Sequence, residues 1–241
     1  MEKNTRITIW QGTQWIATLA GKLDTDWHSH HAVQLCITRD EALTVEFPDR
    51  RLTANAVLIE AHQKHRVSLP DEPAWIALLQ PIGSYAHGLR ERWLKSHTAV
   101  TVDPAPTTST TPSEWLPRWL QQQHQCDTPP QLSSRIKQTL QHIESDLARN
   151  WPIAVLAERI HWSPSRLQHQ FKDQVGVALR PYIRWQRLIH GLRMILAGSP
   201  ITTAALESGF SDARHFTRTC RRHFGVNPHW IATYSRFVQE S

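Results

Sequence analysis

The sequence predicts an α+β chain of two domains: an antiparallel β-barrel with flanking helices, then an all-α domain in which two helix-turn-helix units are joined by a long helix. Three observations predict it. Apolar and polar residues alternate in short runs through the first eighty or so positions, the periodicity of half-buried strands. Beyond residue 131 the period lengthens to that of helices, and one pattern occurs twice: Leu167, Phe171 and Gly176 are matched by Phe216, Cys220 and Gly225, each 49 residues on. Charge divides in the same place. Residues 1–130 hold 12 Lys/Arg against 14 Asp/Glu and residues 131–241 hold 15 against 7, net −2 and +8, which together make the +6 of the whole chain. A basic helical half beside a nearly neutral β half points to a polyanion-binding domain joined to a sensing or assembly domain.

The first domain is expected over residues 1–102. Strands are predicted at Thr8–Trp10, Val33–Ile37, Leu43–Phe47, Val57–Ile59 and Trp75–Leu79, with turns at 38–41 and 48–50. A short helix about Leu89–Lys95 and a strand His97–Val102 close it. A linker is expected over 103–131. Its first part, DPAPTTSTTP, has nothing to bury and should be exposed loop. Thr111 and Glu114 then read as a capping box for a helix about 113–124, with Pro117 delaying its firm start. That helix carries Trp115, Leu116, Trp119 and Leu120, a stripe that either covers the barrel or supplies a dimer contact. QQQHQCDTPP, 121–130, follows as a polar tether.

The second domain is expected over 132–241. Ile136, Leu140, Ile143 and Leu147 mark a first helix within Ser133–Arg149. In the first helix-turn-helix, about 152–176, Ile153, Leu156, Ala157 and Ile160 form one face, and Ser163 with Pro164 supplies an N-cap and N1 pair. The helix they open turns Leu167 and Phe171 inward and Ser165, Gln168, His169 and Lys172 outward. A linking helix about 181–197 follows from Trp185, Leu188, Ile189, Leu192, Ile195 and Leu196. In the second unit, about 201–225, Ile201, Ala204 and Ala205 precede a turn at Gly209, and Ser211 with Asp212 caps the next helix. Phe216, Cys220 and Phe224 face inward there, which leaves Arg214, Thr217, Arg218 and Arg221 on the outer stripe. Guanidinium forks beyond a tight turn suit guanine edges and phosphates, the chemistry of a major-groove helix. A solvated face would look similar in one copy; the repetition argues against it.

Residues 133–235 resemble the paired helix-turn-helix domain of the AraC/XylS family of bacterial transcription regulators. The resemblance is carried by Gly209-Phe210, Asp212, Phe216, Arg218, Arg222, Phe224-Gly225-Val226 and Pro228, and in the first unit by Leu156-Ala157, Ser163 and Leu167. It implies a sequence-specific DNA-binding regulator, an activator, that acts with RNA polymerase in the cytoplasm. By position it implies base contacts from Ser165, Gln168, His169, Arg214, Thr217 and Arg218, which coincide with the outer stripes; phosphate contacts fall to Lys172, Arg221 and Arg222. Three positions depart from the family. His161 stands at the usual turn glycine, Cys220 at a core phenylalanine and Gly191 at an alanine, each suggesting a looser core.

Next to such a half, the β-rich half resembles a cupin-type effector domain through His28-Ser29-His30 before the strand 33–37 and Leu52–His65 with its closing histidine. The turn glycines of that fold are missing, since none lies between Gly21 and Gly83. The domain is expected to bind a small organic effector in a pocket of His28, His30, Gln34, Cys36 and Trp75, to mediate homodimerisation, or both. His28, His30 and His65, with Glu60 or His62, are the metal candidates; the expectation is no metal and no cofactor, because sensor domains of this family carry HxH without one. A barrel serving only assembly, and a metal-sensing regulator, are the alternatives. No serine-histidine-acid or paired-carboxylate spacing stands out, so an enzyme is not expected. Three cysteines without CxxC, no signal h-region and no run of eighteen apolar residues point to a reducing cytoplasm and no membrane span.

Overall fold

The computed structural model describes residues 7–11, 15–80, 83–103, 111–123 and 131–239. In chain order the elements are β1 (Ile7–Gln11), β2 (Trp15–Ala20), β3 (Val33–Ile37), β4 (Leu43–Glu46), β5 (Arg51–Ala54), β6 (Ala56–Ile59), β7 (Arg66–Ser68) and β8 (Ala74–Leu79). Next come α1 (Ser84–Leu89), which runs into a π-helical turn at Arg90–Leu94, then β9 (Ala99–Thr101) and α2 (Pro112–Gln122). The rest is helical: α3 (Ser134–Ser145), α4 (Ile153–Arg159), α5 (Pro164–Val175), α6 (Leu179–Leu196), α7 (Ile201–Glu207), α8 (Ala213–Phe224) and α9 (Pro228–Tyr234), before a last strand β10 (Ser235–Gln239). The chain divides into two compact units. One is drawn from residues 1–129 and 220–241, the other is residues 130–219, so the C-terminal segment, expected in the DNA-binding domain, groups with the β-rich part. Most of the loop 103–112, and Cys126 with most of the tether, lie outside the described residues.

In the first unit the strands form two sheets, one of seven strands in the order β10-β1-β2-β8-β3-β6-β9 and one of three in the order β5-β4-β7. All pairs are antiparallel except β1 with β10, which is parallel and joins Ile7 to Ser235 through Gln11 to Gln239. The expected barrel therefore appears as two antiparallel sheets, with no ladder closing them among the described residues. Central strand β3 explains the arrangement, because all five of its residues are buried. Val33, Leu35 and Ile37 pack on one face with Trp75, Ala77 and Leu79. Cys36 packs on the other face with Val57, Ile59 and, from the smaller sheet, Leu43, Val45 and Val67. A strand covered on both faces needs a layer on each side. The small sheet supplies one and α2 the other.

Helix α2 buries Trp115, Leu116, Trp119 and Leu120 in the core that contains Trp10 and Trp75. The rings of Trp75 and Trp115 meet edge to face with centroids 5.7 Å apart. With the two α2 tryptophans only 7% and 6% exposed, this stripe covers its own sheet and is not open to a dimer partner. The helix starts earlier than expected. Pro112 occupies N1, where its fixed φ is favourable, and the helix continues through Pro117. Burial of four large side chains, each worth about 1.5–3 kcal/mol, outweighs the hydrogen bond that Pro117 cannot make. The capping bond comes from the backbone, Glu114 N–H to the Thr111 carbonyl at 3.2 Å.

The second unit is helical. Ile136, Leu140 and Ile143 of α3, Leu167 and Phe171 of α5, and Trp185, Leu188, Ile189 and Ile195 of α6 are buried. Helix α6 packs against α5 on one side and α7 on the other, and so ties the two helix-turn-helix units together.

Candidate nucleic-acid interface

The two reader helices are built by the same local devices with one difference in length. First helices α4 and α7 begin at 153 and 201, 48 residues apart, whereas readers α5 and α8 begin at 164 and 213, 49 apart. The second turn holds the extra residue. Both turns pivot on a left-handed residue, His161 at φ 55° and Gly209 at φ 83°. Each then passes its next amide back to the preceding helix, Trp162 N–H to the Ala157 carbonyl and Phe210 N–H to the Ala205 carbonyl, both at 2.9 Å. Each reader is capped by a side chain. Ser163 Oγ accepts the Arg166 N–H at 3.2 Å, and Asp212 Oδ1 accepts the His215 N–H at 2.6 Å. The bond from His215, with a second from the Ser211 hydroxyl, holds the Asp212 carboxyl below the usual carboxylate range.

The outer stripes are presented as the periodicity requires. On α5, Ser165, Gln168, His169 and Lys172 are exposed while Leu167 and Phe171 are buried. On α8, Arg214, Arg218, Arg221 and Arg222 are exposed, Thr217 is half-buried, and Phe216 and Cys220 are fully buried. Burial pushes the Cys220 thiol up, so it packs as a small hydrophobe. Arg221 is not an idle cation: its Nε donates to Asp26 Oδ2 at 2.5 Å, and the Ser29 N–H reaches the Arg222 carbonyl at 3.1 Å. Those four residues all belong to the first unit.

Two residues that shape this region lie outside the predicted interface, and only the first was missed altogether by the sequence reading. Arg187 of α6 donates from Nε to the Leu147 carbonyl at 2.7 Å, from one terminal nitrogen to the Gly209 carbonyl at 3.0 Å, and from the other to the Arg149 carbonyl at 2.8 Å. One guanidinium thus fastens the second turn to the segment after α3. Gly191 is the other. A Cβ there would stand 2.6 Å from the Phe216 ring and 2.8 Å from Ser208 Oγ, so glycine marks a close contact and not a loosened core.

In the first unit, His28, His30, Gln34 and Cys36 come together, while Trp75 does not join them. Partner positions in the β3–β8 ladder pair Ile37 with Trp75 and Cys36 with Ile76, which puts Trp75 on the opposite face of the sheet. His65 takes its place. His28 and His65 exchange both backbone hydrogen bonds at 2.9 Å, and His28, His30 and His65 are all buried. Desolvation, helped by the neighbouring imidazoles, lowers His28 to about 3 and His30 well below its ordinary value. Burial also raises the Cys36 thiol to about 12. The other metal candidates are held elsewhere: Glu60 forms a two-pronged ion pair with Arg90 at 2.7 and 2.8 Å, and His62 faces His31.

A family profile described as a helix-turn-helix domain matches residues 156–231. Residues 156–231 are a helix-turn-helix domain. The same part of the chain is similar to the arabinose operon regulatory protein of Escherichia coli, 32% identical over 101 residues, which is 41% of this chain and 35% of that protein. An uncharacterized HTH-type transcriptional regulator of Staphylococcus aureus is 31% identical over 91 residues, 37% of this chain and 12% of that protein. The matches thus span about a third or less of these curated relatives. In fold the likeness is wider. An apo variant of ToxT from Vibrio cholerae superposes with a TM-score of 0.62 over 93% of this chain and 98% of that one, at 14% identity. The unsaturated fatty acid bound wild-type ToxT gives 0.58 at 13% identity over 93% and 96%. The part of the chain that these curated relatives share is its helix-turn-helix part. Among the described residues no helix is long and apolar enough to cross a membrane.

Proposed function

We propose that the chain is a sequence-specific regulator of transcription, an activator, in which α5 and α8 enter successive major grooves. The observation that carries this is the pair of exposed stripes in matched register on two capped reader helices tied by α6. Arg214, Thr217 and Arg218 on one stripe and Ser165, Gln168 and His169 on the other are the base readers, with Gln168 suited to adenine and His169 to a guanine edge. Lys172 and Arg222 are the phosphate contacts, and Arg221 joins them by exchanging its Asp26 carboxylate partner for a phosphate. The less basic first reader contributes mainly selectivity, the arginine-rich second reader mainly affinity.

The test compares two arginines on one operator and on random duplex across a salt series. Arg218→Ala should weaken the operator by about 1–3 kcal/mol and relax one base position. Arg222→Ala should weaken every sequence alike and flatten the salt slope by about one. Equal losses on both duplexes for both variants would remove the assignment of readers.

The reading extends to the first unit, which serves as the sensing or dimerising part and responds to a small organic effector. Its support is the whole-chain likeness to ToxT, one structure of which carries an unsaturated fatty acid. A thermal-shift panel of fatty acids and other metabolites on the full chain tests it, because a ligand of the folded state raises the midpoint by mass action. No shift with any compound, together with a dimer that forms regardless, would leave assembly as the unit's role.

A further inference from the structure

Two tryptophans of the helical unit each carry a pair of arginines. Arg149 and Arg159 lie over the Trp151 ring, with Cζ 4.6 and 5.4 Å from its centroid. Arg135 and Arg166 lie over the Trp162 ring, at 5.6 and 4.9 Å. The two sets differ in what else holds them. Trp151 is buried, its indole N–H donates to the Asp146 carbonyl at 2.8 Å, and the Arg149 carbonyl is held by Arg187. That set is tied into the protein. Trp162 is only half-buried, Arg135 and Arg166 are exposed, and among the described residues no hydrogen bond or ion pair engages either guanidinium.

The fold places both arginines beside the first reader. Arg166 is the third residue of α5 and Arg135 the second of α3, whose start is fastened to α5 by the Ser133 N–H, which donates to Gln174 Oε1 at 2.8 Å. Around the α5 axis, at about 100° per residue, Arg166 stands about 100° from Ser165 and about 60° from His169. It is therefore on the flank of the outer stripe. A helix lying in a major groove turns its stripe to the base edges and its flanks to the phosphates of the groove walls. The one acid of α5, Asp173, shares that flank but lies two turns on, about 10 Å along the axis, away from the N-terminal end that meets the bases. A cation in the first turn also opposes the helix dipole, so the helix itself does not favour an arginine there.

We propose that Arg135 and Arg166, set by the Trp162 ring, grip the phosphate backbone of duplex DNA on one wall of the groove that α5 enters. Stacking occupies the face of a guanidinium and leaves its N–H donors, which lie in its plane, for phosphate oxygens. The ring also restrains two long side chains before DNA arrives, so less rotamer freedom is lost on binding. The stripe of α5 carries one lysine where that of α8 carries three arginines, and its phosphate contacts are thus supplied from beside the stripe. In the matched frame of the second helix-turn-helix, Phe210 and His215 stand at the positions of Trp162 and Arg166, with ring centroids 5.3 Å apart. The aromatic is kept there and the permanent cation is not. The inference rests on the reading that α5 enters a major groove.

The experiment uses the full chain with two probes, a duplex that the wild-type chain selects from a random pool and a duplex of random sequence. Arg135→Ala and Arg166→Ala should each weaken both duplexes by the same factor, about tenfold, and each flatten the log–log salt slope by about 0.9, the double variant by about twice that. Arg149→Ala, which removes an arginine from the other ring, should leave the slope unchanged. Single neutral methylphosphonates along the selected duplex locate the contact: one beside the first half-site should cost the wild-type chain about tenfold and the Arg166→Ala chain little. Unchanged slopes in Arg135→Ala and Arg166→Ala, with Arg222→Ala still flattening its own, would overturn the proposal and leave the groove reading standing. Unchanged slopes in all three would remove the groove reading and the proposal with it. Weaker binding at an unchanged slope, with wild-type sensitivity to every methylphosphonate, would mean that the two arginines serve only folding and would equally overturn it.

Discussion

At Gly191 one hydrogen atom separates a packed interface from a clash. The position lies mid-helix in α6, where alanine is favoured by about 1 kcal/mol on propensity. Yet a Cβ there would sit 2.6 Å from a Phe216 ring that is itself wholly buried. Gly191→Ala should therefore lower the stability of the helical unit by about 1–3 kcal/mol, the usual cost of overpacking, in denaturant unfolding; a midpoint unchanged or raised would show that the ring has room to yield. Sequence alone assigns this glycine to a looser core, because what stands opposite a residue is a tertiary fact. Gly209 was legible, since a helix-turn-helix needs a left-handed residue there, but its second duty was not: a Cβ would lie 2.9 Å from the Leu147 carbonyl and 2.8 Å from Arg187 Nε. The clamp made by Arg187 joins three carbonyls from two distant segments, and no spacing rule encodes it.

Elements with a long period and a cap were readable, and short or doubly covered ones were not. The reader helices announce themselves through Ser163-Pro164 and Ser211-Asp212, and β3 falls on the predicted residues. Strands β2, β5 and β7 give little signal: WIATLA lacks strict alternation, RLTA is half polar, and β7 has only three residues. Strand β10 lies inside a segment read as the end of the DNA domain. The histidine cluster was half legible. Two residues apart on an extended chain, His28 and His30 share a face, but the partner on that face depends on register, and the β3–β8 register sends Trp75 to the other side while the β-bridge brings His65. The caps yield predictions. Ser163→Ala should cost about 1 kcal/mol in unfolding, with Ser163→Asp neutral or better; no loss would mean that the bond to Arg166 contributes nothing. For α8, the depressed Asp212 carboxyl supports the helix start above the ordinary carboxylate range, and that support is lost as pH falls through its folded value. Amide exchange at His215 should accordingly quicken on acidification relative to Asp212→Asn, which keeps a neutral cap throughout; parallel pH dependence in the two proteins would refute the assignment.

For the molecule acting on DNA, the deciding quantity is the stiffness of α6. Its 18 residues, at about 1.5 Å each, give a rod of about 27 Å. Trp185, Leu188, Ile189, Leu192 and Ile195 are buried along it, and it packs against both α5 and α7. Adding the girth of the units at its ends, the readers can address grooves about one turn, ~34 Å, apart, with some bending of the duplex if the spacing falls short. A rod and a tether respond differently when the operator is stretched. Inserting about half a helical turn between the half-sites rotates the second to the opposite face, and either connection loses it. Inserting about a full turn restores the face but adds ~34 Å, which a flexible tether would span and this rod cannot. Affinity at fixed salt should thus fall to that of a single reader with the half-turn insertion and stay there with the full-turn insertion. Recovery at the full turn would mean that the two units move independently, and that α6 does not set the distance between them.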